Sequence, residues 1–413
     1  MIYDSFVDFY TLHATGGFFT SDSLFIYLLS EIPNLIFCSL VVAIFFFYKK
    51  INLNELIIWI SLFILSFFVN LFINYVPGYF PDVGGYLRCV RDLRDNLQFD
   101  EIGCQIIFSS ANEESLSFLS MKRGLPAIIF SLIPMPSIAT HAAIGMINKL
   151  LTFFLYLFLK PYLQIKHSYL ILCILALLPT YLLYSSIGLR DNLIFVVMTF
   201  LLFFIIQKRF FLSAIGLLIL LGIKTQNGII FLVPFLGVFI FNANQSFKGL
   251  ILLISALFFG LLLIQDEVVA TINFFVISFV YENQGGEVLQ SLESYQSIYS
   301  ILLNAPFEFL AGLIKPLPTS ATTFLFFLDS IAQLLLILYL IYKNNNLFLK
   351  SPEFFLVFIT FFMGVTLNSM VIDNDGTFVR YKYAFFYCFL LYLISINKAK
   401  LYFFQQKLKM NGK

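Results

Sequence analysis

The chain has little charge. Asp, Glu, Lys and Arg make up 12% of its 413 residues, roughly half of the ~25% usual in globular domains. It has one tryptophan, five cysteines and three histidines, His13, His141 and His167. No histidine or cysteine falls at metal-ligand spacing, and no Gly-rich lysine loop is present for a nucleoside triphosphate. Nothing in the charge pattern reads as a nucleic-acid surface. No cofactor and no metal are therefore expected. Positive charge is also missing where a secretory leader needs it. The first 23 residues contain Asp4, Asp8 and Asp22 but no Lys or Arg, so no cleavable signal peptide is predicted. The apolar run 24–48 serves instead as an uncleaved insertion signal.

What is present is apolar. Hydrophobic residues make up 60% of the chain, with 54 Phe and 22 Tyr, and the mean hydropathy is +0.91. A helix crosses a bilayer with about 20 mainly apolar residues. Such runs at 24–48, 53–76, 138–159, 169–187, 191–206, 210–223, 228–242, 249–265, 319–342, 353–372 and 383–396 predict an all-α polytopic membrane protein of eleven spans. It forms a single integral-membrane domain over 1–413. Segment 124–137 holds Pro126, Pro134 and Pro136 and reads as a broken or re-entrant piece. Segment 268–281 is short for a span and is predicted as an interfacial helix. With the N-terminus outside, alternating spans leave 14 basic and two acidic residues in the cytoplasmic loops and tail, the asymmetry that the positive-inside rule describes. The C-terminus is then cytoplasmic. The two long polar stretches, 77–123 and 265–318, become external loops on one face. Lys149 and Asp329 stay within spans, where ionisable groups are functional candidates; a pairing of the two is the structural alternative.

The stretch 77–123 carries 12 of the 48 charged side chains. Asp82 is placed to cap a helix running to about residue 98. Arg88, Arg91, Asp92 and Asp95 share one face of it, with Leu87, Val90 and Leu97 on the other. This predicts an amphipathic helix resting on the membrane with its charges toward water. Those charges either pair with one another or leave Asp82 and Arg88 at the lip of a cavity, ready for an acceptor and a phosphate. Cys89 and Cys104 also lie here, and an extracytoplasmic position would allow a disulfide. In Ser185-Ser186-Ile187-Gly188-Leu189-Arg190-Asp191, Asp191 suits a helix N-terminus, and Arg190 is either a headgroup anchor or an anion ligand. Lys224-Thr225-Gln226-Asn227 is either a snorkelling lysine with its turn or a sugar-binding group. Asp373, Asp375, Arg380 and Lys382 enter the final run, with cations that oppose the positive-inside trend.

Asp82 to Tyr86 after an early span, Gly188-Leu189-Arg190-Asp191 at a span start and Gly376-Thr377-Phe378-Val379-Arg380-Tyr381 entering the last span resemble bacterial O-antigen or capsule repeat-unit polymerases of the Wzy type. They are also similar to integral-membrane glycosyltransferases of the GT-C class. No Asp-x-Asp or Glu-x-Asp stands in the first external loop, a departure from GT-C that tilts the resemblance toward the polymerase. It implies a multi-pass protein of the bacterial inner membrane that joins lipid-linked oligosaccharide repeat units carried on undecaprenyl pyrophosphate, without a nucleotide sugar. A chain-length regulator is an implied partner, beside membrane lipids. Asp82 or Asp191 would act on the acceptor hydroxyl. Arg88, Arg190, Lys224, Asp373, Asp375, Arg380 and Lys382 would hold substrate. A lipid-linked oligosaccharide flippase is the competing class.

Overall fold

The computed structural model describes residues 21–73, 82–96, 124–163, 177–244, 263–284, 295–343, 352–372 and 375–411, with a few isolated positions between them. Among the described residues there is no strand. The helices in order are α1 (Ser21–Phe47), α2 (Leu53–Ile73), α3 (Asp82–Asn96), α4 (Gly124–Ser131), α5 (His141–Leu159), α6 (Pro179–Ser186), α7 (Asp191–Ile206) and α8 (Phe210–Ile223). They continue with α9 (Thr225–Asn244), α10 (Gln265–Gln284), α11 (Ile298–Ile314), α12 (Ala321–Lys343), α13 (Pro352–Val371) and α14 (Asp375–Asn411).

Among the described residues, five stretches are long and apolar enough to cross a membrane: Tyr27–Phe47, Leu53–Leu71, His141–Tyr162, Thr323–Lys343 and Glu353–Val371. A sixth arises if α6 and α7, bent by 106° at their junction, count as one broken span. Three further apolar helices, Phe210–Ile223, Thr225–Phe239 and Ile298–Ile314, are shorter. The expected run at 249–265 lies mostly outside the described residues, and so do Leu170, Cys173, Leu175 and Ala176 of the run at 169–187. The polarity of these helices is that of a protein in lipid. Leu29, Ile32, Ile36, Leu40, Ile44 and Phe47 form an exposed apolar stripe along α1 at a spacing of three to four residues. Its opposite side buries Ser30, Glu31 and Asn34. A water-soluble helix has the reverse arrangement.

The chain divides into two compact units, 1–196 with 222–225, and 197–221 with 226–413. In the first, α5 is the most enclosed helix and packs against α1, α2, α3 and α6. Its small residues allow that. A Cβ on Gly145 would collide with the Ser186 carbonyl at the end of α6, so the two backbones touch only because no side chain intervenes. Trp59 on α2 stacks edge-on against Phe153 of α5, 5.2 Å between ring centres, and tilts against Tyr156. In the second unit α13 is the central element, packed against α10, α11 and α14, and α12 packs against α11 and α14. Phenylalanine fills the space between them. Phe361 stacks on Phe389 at 4.5 Å and 9°, while Phe309 meets Phe361 edge-on at 5.7 Å, geometries that the aromatic quadrupole favours.

Two sequence expectations change here. The stretch 265–318 holds two helices: α10 extends the expected interfacial segment to Gln265–Gln284, and α11, which the sequence left in a loop, starts with a reciprocal cap between Ser297 and Ser300. In α3, Tyr86, Leu87, Cys89 and Val90 are buried as an apolar face should be, but Arg91 and Arg94 do not simply face water. Arg91 donates to the carbonyls of Ile138 and Ala139, and Arg94 to those of Met135 and Ile133. The cause is the segment between α4 and α5, where Pro134 and Pro136 remove amide donors and leave carbonyl groups without helical partners. Cys89 is disulfide-bonded; Cys104, the partner that the sequence suggests, lies outside the described residues. Gly145→Ala is expected to lower the thermal midpoint of the purified protein in detergent, by an overpacking cost of ~1–3 kcal/mol, whereas the same change at a helix site facing lipid should be neutral.

Candidate functional site

The most polar interior of the first unit surrounds the break between α6 and α7. Ser185, Ser186, Ile187 and Leu189 are fully buried, and Arg190 and Asp191 nearly so, at 9% and 2% exposure. Non-helical backbone in an apolar body needs side-chain partners, and asparagines supply them. Asn70 of α2 donates to Ser186 O at 2.6 Å. Asn148 of α5 donates to Ile187 O at 2.9 Å and Leu189 O at 2.8 Å. Asn192 reaches back to Asn148 O at 2.8 Å. The next residue along α5, Lys149, donates to Ser185 Oγ at 2.5 Å and lies 4.8 Å from the centre of the Tyr181 ring. The intramembrane lysine thus finds its partners within its own unit. The carbonyl oxygens of the Asn70 and Asn148 side chains are buried and accept no hydrogen bond from the described residues.

Beside this break stand three of the residues that the sequence singles out. Asp191 opens α7, where the helix dipole favours its charge. Arg190 precedes it, accepts the first helical bond from Ile194 N at 2.9 Å, and donates to Ile223 O at 2.9 Å. Ile223 is the last residue of α8, and Lys224, 8% exposed, follows in the turn to α9. Gly222, one residue earlier, abuts Leu125 at the start of α4, and α4 packs against α3. Asp82 opens α3 and Arg88 lies within it; their side chains are outside the description.

A second polar cluster belongs to the second unit. Lys382, 2% exposed, donates to Ser330 Oγ at 2.8 Å, to Gly312 O at 3.4 Å and to Lys315 O. Its ammonium also lies over the rings of Phe378 and Phe386 at 5.2 and 5.1 Å. Buried Asp329 is the residue before Ser330. Arg380 is half-buried with its guanidinium 5.6 Å from the Tyr381 ring centre. Asp375 starts α14 without a described side chain, and Asp373 lies outside the described residues. Nearby on α11 and α13, Glu308 accepts from Ser369 at 2.8 Å. The Tyr295 phenol, just before α11, is pushed above its ordinary range by burial and then by the Glu308 carboxylate. The catalytic and substrate-binding residues predicted from sequence are therefore divided: Arg190, Asp191 and Lys224 come together, Arg380 and Lys382 belong to the other unit, and Lys382 holds the end of α11 in place.

One buried ionisable residue is not among those that the sequence singles out. Glu31, fully buried in α1, accepts from Thr140 Oγ1 at 2.5 Å and from Asn34 Nδ2 at 3.0 Å. The signal was available in Ser30-Glu31 followed by Asn34, polar residues one turn apart inside an apolar run. Among the described residues no group of three His, Cys, Asp or Glu is placed to hold a metal.

Ser185→Ala should strand the Lys149 amine in an apolar interior and reduce stability by ~1–3 kcal/mol. Adding Lys149→Met should recover most of that loss, since both polar partners are then gone. Thermal unfolding in detergent compares the two variants, and an equal loss in both would place the lysine's stabilising partner elsewhere. Compared with protein-family models, with curated proteins and with solved structures, the chain matches none.

Proposed function

We propose that this protein is a multi-pass enzyme of the bacterial inner membrane that joins lipid-linked oligosaccharide repeat units, carried on undecaprenyl pyrophosphate, at the periplasmic face during O-antigen or capsule synthesis. The observation that carries this is the composition of the α6–α7 break. Two cations, Arg190 and Lys224, and one carboxylate, Asp191, gather within an apolar helical body, beside two buried amide oxygens, of Asn70 and Asn148, that accept nothing from the described residues. A lipid-borne glycosyl pyrophosphate brings the complementary groups: phosphate oxygens for the cations, sugar hydroxyls for the amide oxygens and a polyprenyl tail for the surrounding apolar surface. In this scheme Arg190 and Lys224 bind pyrophosphate and Asp191 takes the proton of the acceptor hydroxyl. Asp82 remains the alternative base for the acceptor hydroxyl, Arg88, Asp373, Asp375 and Arg380 remain substrate contacts, and Lys382 acts by positioning α11 against α14. Eleven spans, an external N-terminus, a cytoplasmic C-terminus, two long external loops and a chain-length regulator as partner complete the scheme. No metal or cofactor enters it.

The 106° break between α6 and α7 also favours a second reading. Broken helices form the substrate sites of transporters, which keeps a flippase for the same lipid-linked oligosaccharide in view. A glycosyltransferase of the GT-C class, using a polyprenyl-phosphate sugar, would draw on the same cations. The purified chain, supplied with lipid-linked repeat units extracted from cells that make the polysaccharide, should lengthen them into a ladder on a gel. Asp191→Asn and Lys224→Ala, inserted at normal abundance, should each reduce elongation by about 100-fold or more, the usual contribution of a positioned acid–base or charge-stabilising group. Unchanged ladders in both variants would sink the site, and lipid translocation without elongation by the unmodified protein would make it a flippase.

A further inference from the structure

At the opposite end of α5 from its N-terminal cap, the first unit has a shallow, open cavity of about 480 Å³ lined by Phe46, Phe47, Lys49, Ile51, Asn52 and Lys160. It lies where α1 turns into α2. We propose that this cavity is a binding site for an anionic phospholipid, with the phosphate held by Lys49 and Lys160 and an acyl chain lying along Phe46, Phe47 and Ile51.

The charges are arranged to leave a surplus of cation. Glu55 is the only carboxylate among the described residues bonded to this turn, and it is fully engaged. It accepts from Lys160 Nζ at 2.6 Å, from Asn52 N at 2.7 Å and from the Tyr156 hydroxyl. Asn52 and Glu55 form a reciprocal cap at the start of α2. That cap balances Lys160 alone. Lys49 and Lys50 are exposed, and their side chains have no partner among the described residues. Phe47 and Tyr48 beside them are 78% and 74% exposed, as aromatic residues at a membrane interface are. A basic recess between helix ends, floored by aromatic side chains, recognises a lipid phosphate by charge and its tail by apolar contact.

The backbone supplies an independent observation. Lys49 has φ of 56°. Lys50 N bonds to Phe45 O at 2.9 Å and Lys49 N to Phe46 O at 2.8 Å, so Lys49 occupies the left-handed position that ends a helix and is normally glycine. A lysine there is strained relative to glycine, and strain retained at a position that lines the cavity points to use of the side chain. Lys208 repeats the motif in the second unit, with φ of 58° and bonds from Lys208 N to Ile205 O and Arg209 N to Phe204 O, and serves as a control that does not line this cavity.

The test is independent of the reaction catalysed. The full-length protein is stripped of lipid in a non-ionic detergent and titrated with short-chain phosphatidylglycerol, and its unfolding is followed by the fluorescence of Trp59, the single tryptophan. Phosphatidylglycerol should raise the midpoint in the unmodified protein and in Lys208→Gly, while phosphatidylcholine should not. Lys49→Gly relieves the backbone and so should fold at least as well, yet its affinity should fall about fivefold, with a further drop of about fivefold on adding Lys50→Gln. Equal shifts in Lys49→Gly and the unmodified protein would overturn the site. An equal response to phosphatidylcholine would remove the charge argument, and an equal response to inorganic phosphate would make the ligand a small anion instead of a lipid.

Discussion

Everything in this protein turns on one constraint: a carbonyl group freed where a helix stops must find a donor, and in an apolar body water is not there to serve. Each break has its own donor. The proline-rich segment before α5 is held from one side by Arg91 and Arg94 and from the other by Asn34, which bonds both the amide and the carbonyl of Ser137 at 2.9 Å. Asn70 and Asn148 hold the α6–α7 break. Arg190 holds the end of α8, Lys382 the end of α11, and Lys160 the α1–α2 turn, at 2.7 Å from Lys50 O. The scarce polar residues of this sequence are consequently structural first.

That economy shapes the proposed chemistry. A cation already bonded to a backbone carbonyl is rigid and oriented, which is what a preformed anion site requires. Arg190 illustrates this: its guanidinium is fixed by the end of α8 beside Lys224, while the adjacent Asp191 is fixed by the start of α7. Lys382 illustrates the limit. With three oxygen partners and two flanking rings its ammonium is enclosed, and it acts on any ligand only through the helices that it joins.

The helical class and the long apolar spans were legible because a run of ~20 apolar residues has few other fates. The α3 helix was legible from its period, and the prolines at 134 and 136 announced a break. The destination of Arg91 and Arg94 was not, since it depends on a segment some 40 residues away that α3 meets only in three dimensions. Glu31 was hidden for a different reason: one carboxylate hardly alters the hydropathy of a 27-residue helix, and only Thr140, 109 residues later, explains its burial. The helix α11 was missed because Pro306 and a polar flank resembled a loop, although Ser297 and Ser300 spelled a cap. Of the candidate site, the residues Arg190, Asp191 and Lys224 could be named from sequence, but the flanking asparagines could not be tied to them.

The spacing of the donors along the chain also sets an order of assembly on the ribosome, where N-terminal segments emerge first. When the segment before α5 is made, Asn34, Arg91 and Arg94 already exist to receive it, and the α6–α7 break likewise meets Asn70 and Asn148 ready in place. Two breaks have to wait. The Lys50 carbonyl gains its donor only 110 residues later at Lys160, and the Gly312 carbonyl 70 residues later at Lys382. Nascent chains halted before residue 160 or before residue 382 would therefore carry one exposed turn each, at the points where a lipid headgroup or an insertion factor has most to offer.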